Sequence, residues 1–113
     1  MIVIYHNPRC SKSRETLEIL ETKKVDYKII KYLDLPLSEE QLSKIINLLK
    51  IRPMDLVRKN ESIWKENFKH LSFTDIELIQ VMAKYPQLIE RPIVINGNKA
   101  TIGRPPKKIL DII

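Results

Sequence analysis

Residues 1–32 run MIVIYHNPRCSKSRETLEILETKKVDYKIIKY. Ile2 to Tyr5 is an uninterrupted, largely β-branched apolar run stopped by Asn7-Pro8, the pattern of a short buried strand. From about Ser11 to Thr22, Leu17, Leu20 and Ile19 recur at helical spacing. Tyr27 to Tyr32 reads as a second strand. A strand, a helix and a strand within some 30 residues form a parallel pair joined by a right-handed crossover.

Beyond Tyr32 the texture changes. Pro36 interrupts the chain, and Ser38-Glu-Glu-Gln41 is a capping box that opens a helix through Leu49, with Leu42, Ile45, Ile46 and Leu49 on one face. A shorter helical turn is predicted from Pro53 to Lys59, and Thr74-Asp-Ile-Glu77 opens another helix to about Lys84. Residues 35–88 therefore read as a helical insertion. After Arg91-Pro92, the runs Ile93-Val-Ile95 and Lys99 to Ile102 flank Asn96-Gly97, a strong hairpin signal. Pro105-Pro106 then opens a closing helix from Lys107 to Ile112. The expected class is α/β: one thioredoxin-like domain over 1–113, ordered β-α-β, helical insertion, β-β-α, with a mixed four-stranded sheet.

Composition narrows the functions. The chain has 113 residues, with 43% hydrophobic and 30% charged, an ordinary balance for one globular domain. The opening apolar run has no basic residue before it and no cleavage-like site after it, so it reads as a strand rather than a signal peptide. No stretch has the length of a bilayer span. A single cysteine excludes an internal disulfide, and with two histidines makes a structural zinc site improbable; a reducing cytoplasm is the simplest compartment. The net charge of +6 favours anionic ligands, but the lysines are scattered and no nucleic-acid-binding motif is present. With only two glycines, no nucleotide-cradling loop can be drawn.

The cysteine sits where chemistry is expected. Cys10 falls at the turn from the first strand into the first helix, at the carboxyl end of the parallel strands. Unpaired N–H groups and the helix dipole favour an anion there. His6, Arg9, Lys12 and Arg14 surround it with cationic or ionisable groups. A free thiol of pKa about 8.5 is only about 3% ionised at pH 7, and a fall of about two units makes roughly three-quarters of it the nucleophilic thiolate. A lone cysteine also serves in many proteins as a small buried hydrophobe. Ser11 and Ser13 are capping residues unless their hydroxyls turn inward.

Arg91 precedes Pro92, a candidate for a cis peptide facing the cysteine in a thioredoxin-like chain. Arg104, in Gly103-Arg-Pro-Pro106, lies in another loop able to face the same end, and Arg58 lies in the insertion. Guanidinium forks fit tetrahedral oxyanions and stay charged at any working pH. Each arginine alone also fits a surface ion pair.

Taken together, His6-Asn-Pro-Arg-Cys10-Ser-Lys-Ser13-Arg14, Arg58-Lys-Asn-Glu61, Arg91-Pro-Ile-Val94 and Gly103-Arg-Pro105 resemble the glutaredoxin-dependent arsenate reductases of bacteria, across essentially the whole chain. The resemblance implies that Cys10 is the nucleophile that forms a covalent adduct with arsenate and that His6 helps lower its pKa. It implies that Arg58, Arg91 and Arg104 hold the oxyanion, and that Ser13 and Arg14 belong to the active-site loop, with the Ser13 hydroxyl a donor to the thiolate. With no second thiol in the chain, it further implies glutathione as co-substrate, then glutaredoxin, with no bound cofactor or metal. Two positions depart from the family pattern: Arg9, where some members carry a small residue, and Trp64, where many carry tyrosine. Two rivals share the fold. A Spx-type regulator binding RNA polymerase commonly carries Cys-x-x-Cys, but here the pair is Cys10 and Ser13. A monothiol glutaredoxin-like reductase needs a glutathione groove but not three arginines.

Overall fold

The computed structural model describes every residue from Met1 to Ile113. The chain forms two compact units, Met1–Leu35 with Arg91–Ile113, and Pro36–Glu90. The second spans two residues more at its carboxyl end than the expected insertion.

In the first unit, β1 (Ile2–Tyr5), β2 (Tyr27–Ile30), β3 (Ile93–Asn96) and β4 (Lys99–Ile102) form a four-stranded mixed sheet in the order β2-β1-β3-β4. β1 runs parallel to β2 and antiparallel to β3, and β3 pairs antiparallel with β4. This is the thioredoxin-like α/β arrangement. The β1–β2 crossover is α1 (Ser11–Thr22). One face of the sheet sends Ile2, Ile4 and Val94 into a core with Leu20 of α1 and Ile109, all buried. Gly97, at φ +61, turns the hairpin between β3 and β4, a conformation that a side chain disfavours.

Two expectations shift here. β2 stops at Ile30 because the Lys31 carbonyl accepts from the N–H groups of both Asp34 and Leu35, which turns the chain out of the sheet. The closing segment Pro106–Asp111 is a 3₁₀ helix rather than an α-helix, carried by short-range bonds such as Lys108 N–H to the Pro105 carbonyl. Six residues opened by proline are too few to build an α-helical ladder.

The second unit is helical: α2 (Glu39–Leu49), α3 (Pro53–Leu56), α4 (Ser62–Asn67) and α5 (Asp75–Lys84), followed by a 3₁₀ turn at Pro86–Leu88. Ser38 and Thr74 form the two capping boxes expected from sequence. Its core is apolar, with Leu42, Ile45, Leu56, Leu78, Met82 and Leu88 buried. Trp64, at the departing family position, is buried against Phe68 and Phe73, each with ring centroids 5.9 Å away. α4 was not legible because SIWKEN offers only two adjacent apolar residues and no period. No helix is long and apolar enough to cross a membrane.

Candidate active site

The first unit buries a set of polar groups around the loop that joins β1 to α1. His6, Asn7, Ser13, Thr16 and Arg91 are the buried polar residues of the chain, and all belong to this unit. The His6 N–H donates to the Ile30 carbonyl at 2.9 Å, extending the β1–β2 pairing to the lip of the loop. Asn7 then organises the turn. Its carbonyl accepts the Cys10 N–H at 3.0 Å, and its side-chain Oδ1 accepts the Arg9 N–H at 3.0 Å. Its own N–H donates to Ser13 Oγ at 3.0 Å. Sequence reasoning passed over Asn7 as a strand stop; Asn before Pro after an apolar run also signals a side chain that folds back on its own loop.

Cys10 is the N-cap of α1, with extended backbone and the sulfur nearly buried. Burial pushes the thiol pKa up, but opposing groups win and it lies below its ordinary value. The Ser13 N–H, the Arg91 side chain and the Lys12 N–H all donate to the sulfur, and the Arg91 charge adds to them. A neutral thiol is a weak acceptor, so these donors act chiefly on the ionised form. Arg104 Nη2 donates to Cys10 Sγ at 3.5 Å, and its Nε donates to the Arg91 carbonyl at 2.8 Å. The two arginines thus reach one sulfur from two loops while one is anchored on the backbone of the other.

Both loops are pinned. The peptide bonds Arg91–Pro92 and Arg104–Pro105 are cis, the first where the sequence offered a candidate and the second in addition. The Gly103 N–H donates to the Pro92 carbonyl at 2.9 Å. A Cβ at Gly103 would stand 2.7 Å from Thr16 Oγ1 and 2.9 Å from Pro92 Cγ, so this residue lets the Arg104 loop close on α1 and the Arg91 loop. No local sequence signal marks that crowding.

His6 and Ser13 meet, in a way that differs from the expectation. The His6 Nδ1 to Ser13 Oγ distance is 2.6 Å, and the hydroxyl also accepts from Asn7, so it is the Ser13 backbone rather than its hydroxyl that faces the sulfur. Burial first, then the charges of Lys31 and Arg14, lower the His6 pKa. Folding thus disfavours the charged ring, and its contact in this loop is with Ser13. Arg14 turns back, its Nη1 donating to the Pro8 carbonyl at 2.9 Å, and braces the loop. Arg58 lies in the second unit, half-buried, where its Nε is 3.8 Å from Glu61 Oε1 and its N–H donates to the Leu88 carbonyl at 2.6 Å.

A low-pKa thiol under two guanidinium groups in a thioredoxin-like fold agrees with what family comparison finds: residues 5–112 match the model of the ArsC family. The chain belongs to the ArsC family. This ArsC-family chain is 43% identical to an arsenate reductase of Haemophilus influenzae, covering 99% of this chain and 98% of that one. It is 42% identical to the uncharacterized protein YfgD of Escherichia coli K12, over 99% and 96% of the two chains. Among solved structures, an arsenate reductase from Vibrio cholerae matches with a TM-score of 0.94 and 42% identity, over 99% of this chain and 97% of that one.

Proposed function

We propose that this ArsC-family protein is an arsenate reductase that uses Cys10 as nucleophile and draws its electrons from glutathione and glutaredoxin, with no resident metal or cofactor, in the cytoplasm. The observation that carries the reading is the isolated Cys10 sulfur, its pKa lowered by backbone N–H groups and Arg91, with the Arg104 guanidinium 3.5 Å away. The names of the Haemophilus and Vibrio relatives supply arsenate as the oxyanion.

The thiolate attacks arsenic, forming an S–As bond and releasing one arsenate oxygen as water once protonated. Arg91 and Arg104 hold the remaining oxygens and offset charge as it builds. Ser13, His6 and Arg14 keep the loop in place. A glutathione thiol displaces a second oxygen from arsenic. A glutaredoxin thiolate then takes the glutathione sulfur as a mixed disulfide, leaving the electron pair on arsenic, which falls from As(V) to As(III). Water cleaves the last S–As bond and restores Cys10. The two electrons come from two external thiols, as they must in a chain with one cysteine.

The test is NADPH consumption with arsenate, glutathione, glutaredoxin and glutathione reductase. Cys10→Ser is expected to abolish the arsenate-dependent rate. Equal rates for Cys10→Ser and wild type would end the proposal, as would wild-type turnover confined to glutathione mixed disulfides.

A further inference from the structure

Asn7 takes no part in the steps above, yet three hydrogen bonds of the Cys10 loop pass through it. Asn7-Pro8-Arg9-Cys10 is a β-turn, closed by the Asn7 carbonyl accepting the Cys10 N–H at 3.0 Å. Proline presets φ at the second position of such a turn. Asparagine suits the first, because its side chain can accept from the residue two further on. Asn7 does so: its Oδ1 accepts the Arg9 N–H at 3.0 Å. The turn is thus closed twice, once by backbone and once by a side chain that is itself buried. The Asn7 N–H meanwhile donates to Ser13 Oγ at 3.0 Å, in the first turn of α1. One residue therefore grips both Cys10 and Ser13, and the Ser13 N–H is a donor to the Cys10 sulfur.

We propose that Asn7 is a positioning residue for the nucleophile. Its side-chain oxygen sets the turn that holds the Cys10 sulfur before the Ser13 N–H and within reach of the Arg104 guanidinium. The inference rests on the reading that Cys10 is the nucleophile. Two of the three bonds belong to the Asn7 backbone and survive replacement of the side chain. Only the bond to Oδ1 depends on asparagine. Without it the Arg9 N–H, in a part-buried position, loses its acceptor, and the turn can open and carry the sulfur off its donors. Arg9 enters this turn through its N–H, which any residue but proline supplies, so the arginine at this departing position leaves the turn intact.

The thiol itself reports the role, with no need for arsenate. In Asn7→Ala the midpoint of the thiolate ultraviolet absorbance is expected to rise by about 0.5–1 pH unit. Iodoacetamide alkylation should slow about three- to tenfold at a pH below both midpoints. That deficit should vanish at a pH above both, a profile that loosened packing alone does not give. Asn7→Ser offers a weaker acceptor and should fall between alanine and wild type. Arg9→Ala keeps the N–H and should move the midpoint by less than about 0.3 unit. In wild type the Arg9 amide should exchange with deuterium at least about tenfold slower than an open-chain amide, a measurement that stands even if Asn7→Ala does not fold. A wild-type midpoint in Asn7→Ala, an equal shift in Asn7→Ser, a larger shift in Arg9→Ala or an unprotected Arg9 amide would each overturn the assignment, even if arsenate is reduced. The expected shifts in a protein that does not turn over arsenate would sustain Asn7 and sink the arsenate reading.

Discussion

The two units of the chain bury different things. Pro36–Glu90 hides only apolar side chains and keeps its polar work at the surface, where Ser38 and Thr74 cap helices. The sheet unit hides His6, Asn7, Ser13, Thr16 and Arg91 beside its hydrocarbon core. Buried polar groups cost free energy unless every donor and acceptor is met, so a protein that concentrates them in one place has organised that place for something other than stability. Here they gather around the loop that carries Cys10, with the Ser13 N–H and the Arg91 side chain on its sulfur. The apolar unit is bound by packing, and the sheet unit holds the buried polar cluster and the proposed nucleophile.

That contrast can be broken by substitution on either side. Leu78→Ala removes a buried side chain from the helical unit, and a loss of about 2–5 kcal/mol in denaturant unfolding is expected. A loss below about 1 kcal/mol would mean that this core is not tightly packed. Arg91→Lys keeps charge but removes the fork, and we expect the second-order rate with arsenate to fall by about 10–100-fold with little change in fold, measured by steady-state kinetics and circular dichroism. An unchanged rate would reassign Arg91 to structure. Ser38→Ala, at the surface of the helical unit, should cost about 1 kcal/mol and leave the Cys10 thiol unmoved.

The pH dependence of stability sharpens the same point. His6 is lowered on folding, so the unfolded chain binds the extra proton first and stability falls as pH drops through about 6.5. Cys10 is also lowered, so its contribution is fully present above about 8.5 and is lost as pH falls through its lower folded value. Both slopes have one sign: from pH 5 to 8.5 stability rises with pH. Denaturant midpoints across that range should be steeper for wild type than for Cys10→Ser. Identical slopes would remove the thiolate from the folded state.

Much of this was legible in the residues, and the reasons are physical. β1, α1, α2 and α5 announce themselves because hydrophobic period and capping boxes are local signals. Cys10, Arg91 and Arg104 were read together because their loops fall at matching ends of a known strand order. What escaped was either short or tertiary. α4 lacks a period, and the closing 3₁₀ turn is set by its proline start. Gly103 is required by Thr16 and Pro92, which approach it from elsewhere in the chain. The lowered pKa of His6 depends first on burial and then on Lys31, 25 residues away in sequence, and neither is visible in its neighbours along the chain.

The central claim is that folding lowers the Cys10 pKa and so favours the thiolate, whose ultraviolet absorbance measures the shift directly. Titrated in wild type, the midpoint is expected well below the value of about 8.5 for a free thiol, rising in Arg91→Gln as a donor and a charge are withdrawn. A wild-type midpoint at or above 8.5, unmoved by Arg91→Gln, would show that burial outweighs the donors around the sulfur and would contradict the account.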